Sequence, residues 1–136
     1  MARLGWDVAE QRVDGRWLSP CDPAYQARYR AELDRAARVW AGEAPQVPVL
    51  LLSEPTQTAL ADAAGAGCYN SLVDTFAAAT PEVWLLDLDA FLCGGARSRR
   101  ETPDEQSLYA DAVRLSRPGR EYIATWLEAT MVDVTD

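Results

Sequence analysis

Two short apolar runs constrain this chain more than any other feature. Val47-Pro48-Val49-Leu50-Leu51-Leu52 and Val83-Trp84-Leu85-Leu86 are continuous rather than alternating. A strand with one wet face alternates apolar and polar residues, whereas a strand covered on both faces does not. Both runs are too short for helices and are bounded by breakers, Ser53-Glu54-Pro55 after the first and Pro81 before the second. Between them a helix is expected over about residues 69–79, with Leu72, Val73, Phe76 and Ala77 as its inner face. Strand, helix, strand in that order implies a parallel pair with a right-handed crossover. The expected fold class is α/β, a parallel sheet with flanking helices. Ligands in such sheets bind beyond the C-terminal ends of the strands. Here those ends are Ser53-Glu54, Asp87-Leu88-Asp89 and the loop before Asp111.

The flanking segments supply the helices. Asp14-Gly15 between Val13 and Arg16-Trp17 is a tight hairpin turn signal. Asp22-Pro23 opens a helix, because Asp caps and Pro fits the first position, where no amide partner is needed. Tyr25, Tyr29, Leu33, Ala36, Ala37 and Trp40 form its apolar stripe, and Gly42 and Pro45 end it. Residues 54–67 read as a loop that includes a short helical turn, and residues 93–110 as a loop rich in Gly, Arg and acidic residues. A last helix is expected from about residue 117 to 131, capped by Ser116, with Tyr122, Ile123, Trp126, Leu127 and Met131 on one stripe.

Bulk properties narrow the partners. With 136 residues the chain is one domain, 1–136, and 49% apolar composition fits a globular core. A net charge of −8 disfavours nucleic acid and anionic lipid surfaces. Neither apolar run approaches the roughly 20 residues that span a bilayer. The start, Met1-Ala2-Arg3-Leu4-Gly5-Trp6-Asp7, carries no apolar signal core, so no export signal is read in this chain. The three cysteines, Cys21, Cys68 and Cys93, show no metal-ligand spacing; they are three free thiols, or one disulfide and one thiol. No cofactor and no metal is expected.

The sequence contains no histidine. Near its C-terminus it reads Asp111-Ala112-Val113-Arg114-Leu115-Ser116-Arg117-Pro118-Gly119. This looks like an Asp-x-x-His acid/base block followed by Leu-Ser-x-x-Gly, with arginine in the histidine's place. Arginine stays protonated and cannot take a proton from a serine. Other candidates read as ordinary: Asp87 and Asp89 as strand-end carboxylates without a third ligand, and Arg97, Arg99 and Arg100 as a solvated loop cluster. Tyr25, Tyr29, Trp40, Trp84 and Trp126 sit at core spacing. Trp6 and Trp17 fall outside it and are candidates for stacking on a sugar.

The order of these pieces resembles the second half of an SGNH (GDSL-like) hydrolase, and most closely the SGNH domains fused to membrane acyltransferases that O-acylate cell-surface glycans. Leu4-Gly5-Trp6-Asp7, with Arg12-Val13-Asp14-Gly15-Arg16-Trp17 and Asp22-Pro23-Ala24-Tyr25, resembles the end of the family's third strand and the segment after it. Residues 49–53 resemble its fourth strand. Tyr69-Asn70-Ser71-Leu72 with Leu85-Leu86-Asp87-Leu88 resembles the next helix and fifth strand, and residues 111–119 its Asp-x-x-His block. The resemblance implies a flavodoxin-like, SGNH-type parallel sheet, here truncated at the N-terminus, since the family's Gly-Asp-Ser nucleophile block has no counterpart in this chain. It implies Asp111 as a remnant acid position, Arg114 at the family's histidine position, and Gly5, Trp6 and Asp7 in the oxyanion and substrate region, where a carboxylate opposes a developing oxyanion. Resembling domains commonly lie outside the cytoplasm.

Three functions are compatible with this pattern: a degenerate SGNH-like domain that is not catalytic alone, an accessory module binding a glycan, an acyl ester or a protein, and part of an esterase or O-acyltransferase completed by another chain. A sheet starting at the family's third strand also leaves the strand at residues 47–52 with an open edge, so a homo-oligomer or association with a missing N-terminal half is expected.

Overall fold

The computed structural model of the protein describes residues 10–43, 49–53, 63–81, 83–93, 99–110 and 115–135. The chain begins with a hairpin of strands β1 (Gln11–Val13) and β2 (Arg16–Leu18). Val13 pairs with Arg16, so the loop is the two residues Asp14-Gly15. Both have positive φ, 50° and 81°, which makes a turn whose twist matches that of the flanking strands. Glycine is required at the second of these positions because a side chain there is strained.

Helix α1 (Pro23–Glu43) comes next. Pro23 is its first residue, as the sequence predicts, and the helix runs through Gly42 rather than stopping there. The Asp22 carboxylate accepts from the Ser19 amide at 2.6 Å and so braces the entry turn. Tyr25, Tyr29 and Leu33, one per turn, are buried, with Ala37 and Trp40 continuing the stripe at the margin.

Strands β3 (Val49–Leu52) and β4 (Val83–Leu86) pair in parallel, with Leu50 opposite Trp84 and Leu52 opposite Leu86. Helix α2 (Ala63–Ala79) crosses between them, which gives the expected strand-helix-strand unit. This helix starts well before residue 69, so its first turns occupy what the sequence presents as loop. Gly65 and Gly67 hide the helix from propensity, each costing about 1 kcal/mol against alanine, while Ala64 and Ala66 favour it. Its buried face is Ala66, Tyr69, Val73 and Phe76.

The architecture is mixed α/β. Among the described residues the parallel sheet has two strands, and the hairpin forms a separate antiparallel sheet rather than extending it. Two apolar clusters flank the parallel pair. Leu18, Tyr25, Tyr29, Leu33, Tyr69, Val73, Phe76 and Val83 form the first. Leu88, Leu92, Leu108 and Ile123 form the second, with Leu52 packed against it. Trp84 is 47% exposed, contrary to its core-like spacing. It shares a face with Leu86 and with Leu52, the partner of Leu86, and that face is covered at its C-terminal end.

Two elements add to what the sequence predicts, one just before the expected loop over residues 93–110 and one within it. A short helix α3 (Leu88–Cys93) begins directly after β4 and buries Leu88 and Leu92. Residues 99–110 form a narrow ribbon, with bridges between Glu101 and Ser107 and between Tyr109 and Leu115. The ribbon's short pieces carry no alternating pattern that would betray it. Helix α4 (Arg117–Thr135) closes the chain and extends past residue 131. Ile123 is buried, with Tyr122, Trp126 and Leu127 beside it, but Met131, one turn further along the same face, is 38% exposed and outside the cluster.

Candidate functional site

The C-terminal ends of the parallel strands are the place to look for chemistry, and Ser53 and Asp87 meet there. Ser53 directly succeeds β3 and continues its ladder by donating its amide to the Leu86 carbonyl at 3.1 Å. It is only 2% exposed. The hydroxyl donates to Asp87 Oδ1 at 2.9 Å and accepts from the Asp89 amide at 2.9 Å. Asp87 Oδ1 also accepts from the Ala90 amide at 2.9 Å, which caps α3, and the Asp87 carbonyl accepts from Phe91 at 3.1 Å to start that helix. A single carboxylate thus ties one strand end to the next element. The sequence carries a signal for this: an Asp directly before Leu88, Phe91 and Leu92, spaced one turn apart.

This geometry holds a serine and an aspartate together without arming either. The Ser53 proton points at a carboxylate that is already committed to the α3 cap. The oxygen's acceptor role is taken by a backbone amide, and the group lies below the surface, out of reach of a carbonyl in solvent. An acyl-transfer nucleophile needs an adjacent base and access to its substrate. Asp89 stands beside this arrangement as its amide donor. Among the described residues no three or more Cys, Asp or Glu side chains gather in a way that could hold a metal ion.

A second feature lies where α3 and α4 meet. Phe91 stacks on Trp126 with ring centres 4.7 Å apart and an interplanar angle of 11°, and Tyr122 lies 5.3 Å from Phe91. Arg99 sets its guanidinium 5.8 Å from the Phe91 ring centre and donates to the Tyr122 hydroxyl at 3.0 Å. Arg99 is therefore held against aromatic surface, not simply solvated as a loop cluster would be. Nearby, burial pushes the Tyr109 hydroxyl above its ordinary range; Cys93 adds to the rise and Arg100 opposes it.

The Leu-Ser-x-x-Gly half of the C-terminal block has a clear structural role. Ser116 caps α4, accepting from the Gly119 amide at 2.9 Å. Its own amide donates to the Leu108 carbonyl at 2.9 Å, and its hydroxyl donates to the Ser107 carbonyl. Gly119 lies so close to the ribbon that a Cβ there would sit 2.1 Å from the Leu108 carbonyl oxygen. Serine and glycine at this spacing let the first turn of α4 touch the ribbon backbone, a requirement independent of catalysis.

The other predicted site residues, Gly5, Trp6, Asp7, Asp111 and Arg114, and with them Arg97, lie outside the described residues. Among the described residues no helix is long and apolar enough to cross a membrane. The cysteine alternatives resolve to one disulfide, Cys21–Cys68, with Cys93 outside it as a thiol. A separation of 47 residues leaves no trace of that pairing in the sequence. Comparison with family models, with curated proteins and with solved structures finds no match.

Proposed function

We propose that this chain is an SGNH-like α/β domain that does not carry out acyl transfer by itself. The observation that carries this reading is the state of the strand ends. The serine there is buried, and both of its hydrogen-bonding roles are filled by Asp87 and the Asp89 amide. The chain has no histidine to serve as its base. On this reading Asp111 is a remnant of the acid position and Arg114 a permanent cation in place of the base. The same resemblance sets Gly5, Trp6 and Asp7 at the family's oxyanion position, where a carboxylate opposes a developing oxyanion.

The test is hydrolysis of p-nitrophenyl acetate by the purified chain and by Arg114→His. Both are expected at the no-enzyme background, because general-base assistance of about 10²–10⁴-fold requires a nucleophile within reach. Turnover above background that disappears in Asp111→Ala would overturn the proposal.

A second reading, an accessory module that holds a glycan or acyl ester, is favoured by Trp17, which is 65% exposed on β2 and open to stacking on a sugar ring. Titration of an acetylated glycan, monitored by tryptophan fluorescence, is expected to saturate in the natural chain and not in Trp17→Ala. A flat titration in both removes this reading.

A further inference from the structure

We infer that the Cys21–Cys68 disulfide is a redox latch that holds the hairpin and α1 against α2. Cys21 sits in an exposed turn, within reach of a soluble reductant. That turn is pre-shaped by local bonds: Asp22 donates its amide to the Ser19 carbonyl at 2.9 Å, Cys21 donates its amide to Ser19 Oγ at 3.2 Å, and Gln26 Nε2 donates to the Pro20 carbonyl at 3.1 Å. Cys68 lies in α2 immediately before Tyr69.

The bond therefore lands beside a tyrosine cluster shared by the two helices. Tyr25 stacks on Tyr29 at 5.9 Å, Tyr29 meets Tyr69 at 5.6 Å, and the Tyr29 hydroxyl donates to that of Tyr69 at 3.4 Å. All three rings are buried in the same apolar cluster. Apolar packing is non-directional and tolerates sliding, whereas the disulfide fixes which turn of α2 faces the start of α1.

The switching step is thiol–disulfide exchange with a dithiol. A thiolate of the reductant attacks one sulfur, the Cys21–Cys68 bond breaks, and a mixed disulfide forms. The second thiol of the reductant resolves it. Two electrons and two protons pass to the protein, leaving two thiols, and the dithiol leaves as its own disulfide. A cross-link over a sequence separation of 47 residues restrains the unfolded chain strongly. Its loss is expected to raise the unfolding equilibrium constant by about 10³-fold on the chain-entropy model. The oxidised form is the closed state of the α1–α2 contact, and the reduced form frees the tyrosine cluster to open.

The experiment uses the full chain, purified without reductant and equilibrated in an oxidising glutathione buffer. Maleimide labelling in urea is expected to count one thiol, Cys93, and three after dithiothreitol. Urea melts monitored by tyrosine near-ultraviolet circular dichroism are expected to move to lower urea on reduction. The Cys21→Ser/Cys68→Ser double variant is expected to melt at the reduced midpoint and to ignore dithiothreitol, while Cys93→Ser keeps the full response. Three reactive thiols in the oxidised sample, or an unchanged natural-chain midpoint on reduction, would overturn the latch. If the double variant fails to fold, the dithiothreitol titration of the natural chain decides alone.

Discussion

Gly119 offers the sharpest test of how α4 is seated. In an ordinary exposed helix, Gly→Ala is favourable by about 1 kcal/mol, because alanine loses less backbone entropy. At Gly119 the added methyl would lie 2.1 Å from the Leu108 carbonyl oxygen, 2.9 Å from its carbon and 3.0 Å from its Cα. These are backbone atoms, so no side-chain rotation relieves the contact. The ribbon must retreat by about 1 Å, given that carbon–oxygen contacts need more than about 3 Å. Retreat breaks the bond from the Ser116 amide to the Leu108 carbonyl, about 1 kcal/mol net, and leaves a buried carbonyl short of its donor, up to about 3 kcal/mol. It also lifts the fully buried Leu108 from its cluster, a loss on the order of 1–2 kcal/mol for partial exposure. The clash outweighs the entropy gain, and Gly119→Ala is expected to destabilise by about 2–4 kcal/mol. Gly42→Ala in α1 is the control: nothing lies within 4 Å of the place its methyl would take, and that variant is expected to gain up to about 1 kcal/mol. Urea unfolding of both variants gives the answer, and Gly119→Ala equal to or more stable than the natural chain would refute the close approach.

Other expected outcomes rest on individual contacts. Ser53→Ala leaves Asp87 without its hydroxyl donor and the Asp89 amide without its acceptor, so a loss of about 1–3 kcal/mol is expected in the same urea assay. The Tyr109 hydroxyl titrates above its ordinary value of 10.0 in the folded chain, so the unfolded chain releases this proton first as pH rises. Its contribution is fully present below pH 10.0 and is lost as pH climbs through the folded value, and Tyr109→Phe is expected to flatten that limb of a stability–pH profile. The half-covered sheet face around Trp84 favours self-association; light scattering is expected to show concentration-dependent mass that falls in Trp84→Ser, and a strict monomer at all concentrations would refute this.

Much of the fold is legible in the sequence, for reasons visible in particular residues. The runs at β3 and β4 are continuous because both faces are approached by apolar clusters, and the stripe of α1 repeats once per turn because one face is buried. The Asp14-Gly15 turn and the Ser116 cap stem from local chemistry, a left-handed backbone at the turn and a side-chain acceptor at the helix start. The features that escape the sequence do so for equally physical causes. The glycines in the first turns of α2 weaken its local signal, and Trp84 keeps a core rhythm although its end of the sheet is uncovered. The ribbon's bridges are backbone bonds, which have no side-chain code. The pairing of Cys21 with Cys68 depends on how two helices meet in space, which no spacing encodes. At the candidate site, the sequence names both strand ends but presents Ser53 and Asp87 as separate residues, because their union is a cross-strand contact.

The tip of the ribbon has a practical consequence. Thr102 and Gln106 close a three-residue loop, with the Thr102 amide donating to the Gln106 carbonyl at 2.8 Å and Glu105 in the left-handed region at φ 60°. Pro103, Asp104 and Glu105 are exposed, while the ribbon is tied to the body at its base, where Arg99 donates to the Leu92 carbonyl at 2.7 Å and Ser116 to Leu108 at 2.9 Å. The chain can thus be opened or lengthened at Asp104 without disturbing the anchors of either arm, since both are fixed by bonds remote from the tip. That makes this loop a natural port for inserting a tag or fluorophore, and a handle by which the body of the domain can be tracked in solution.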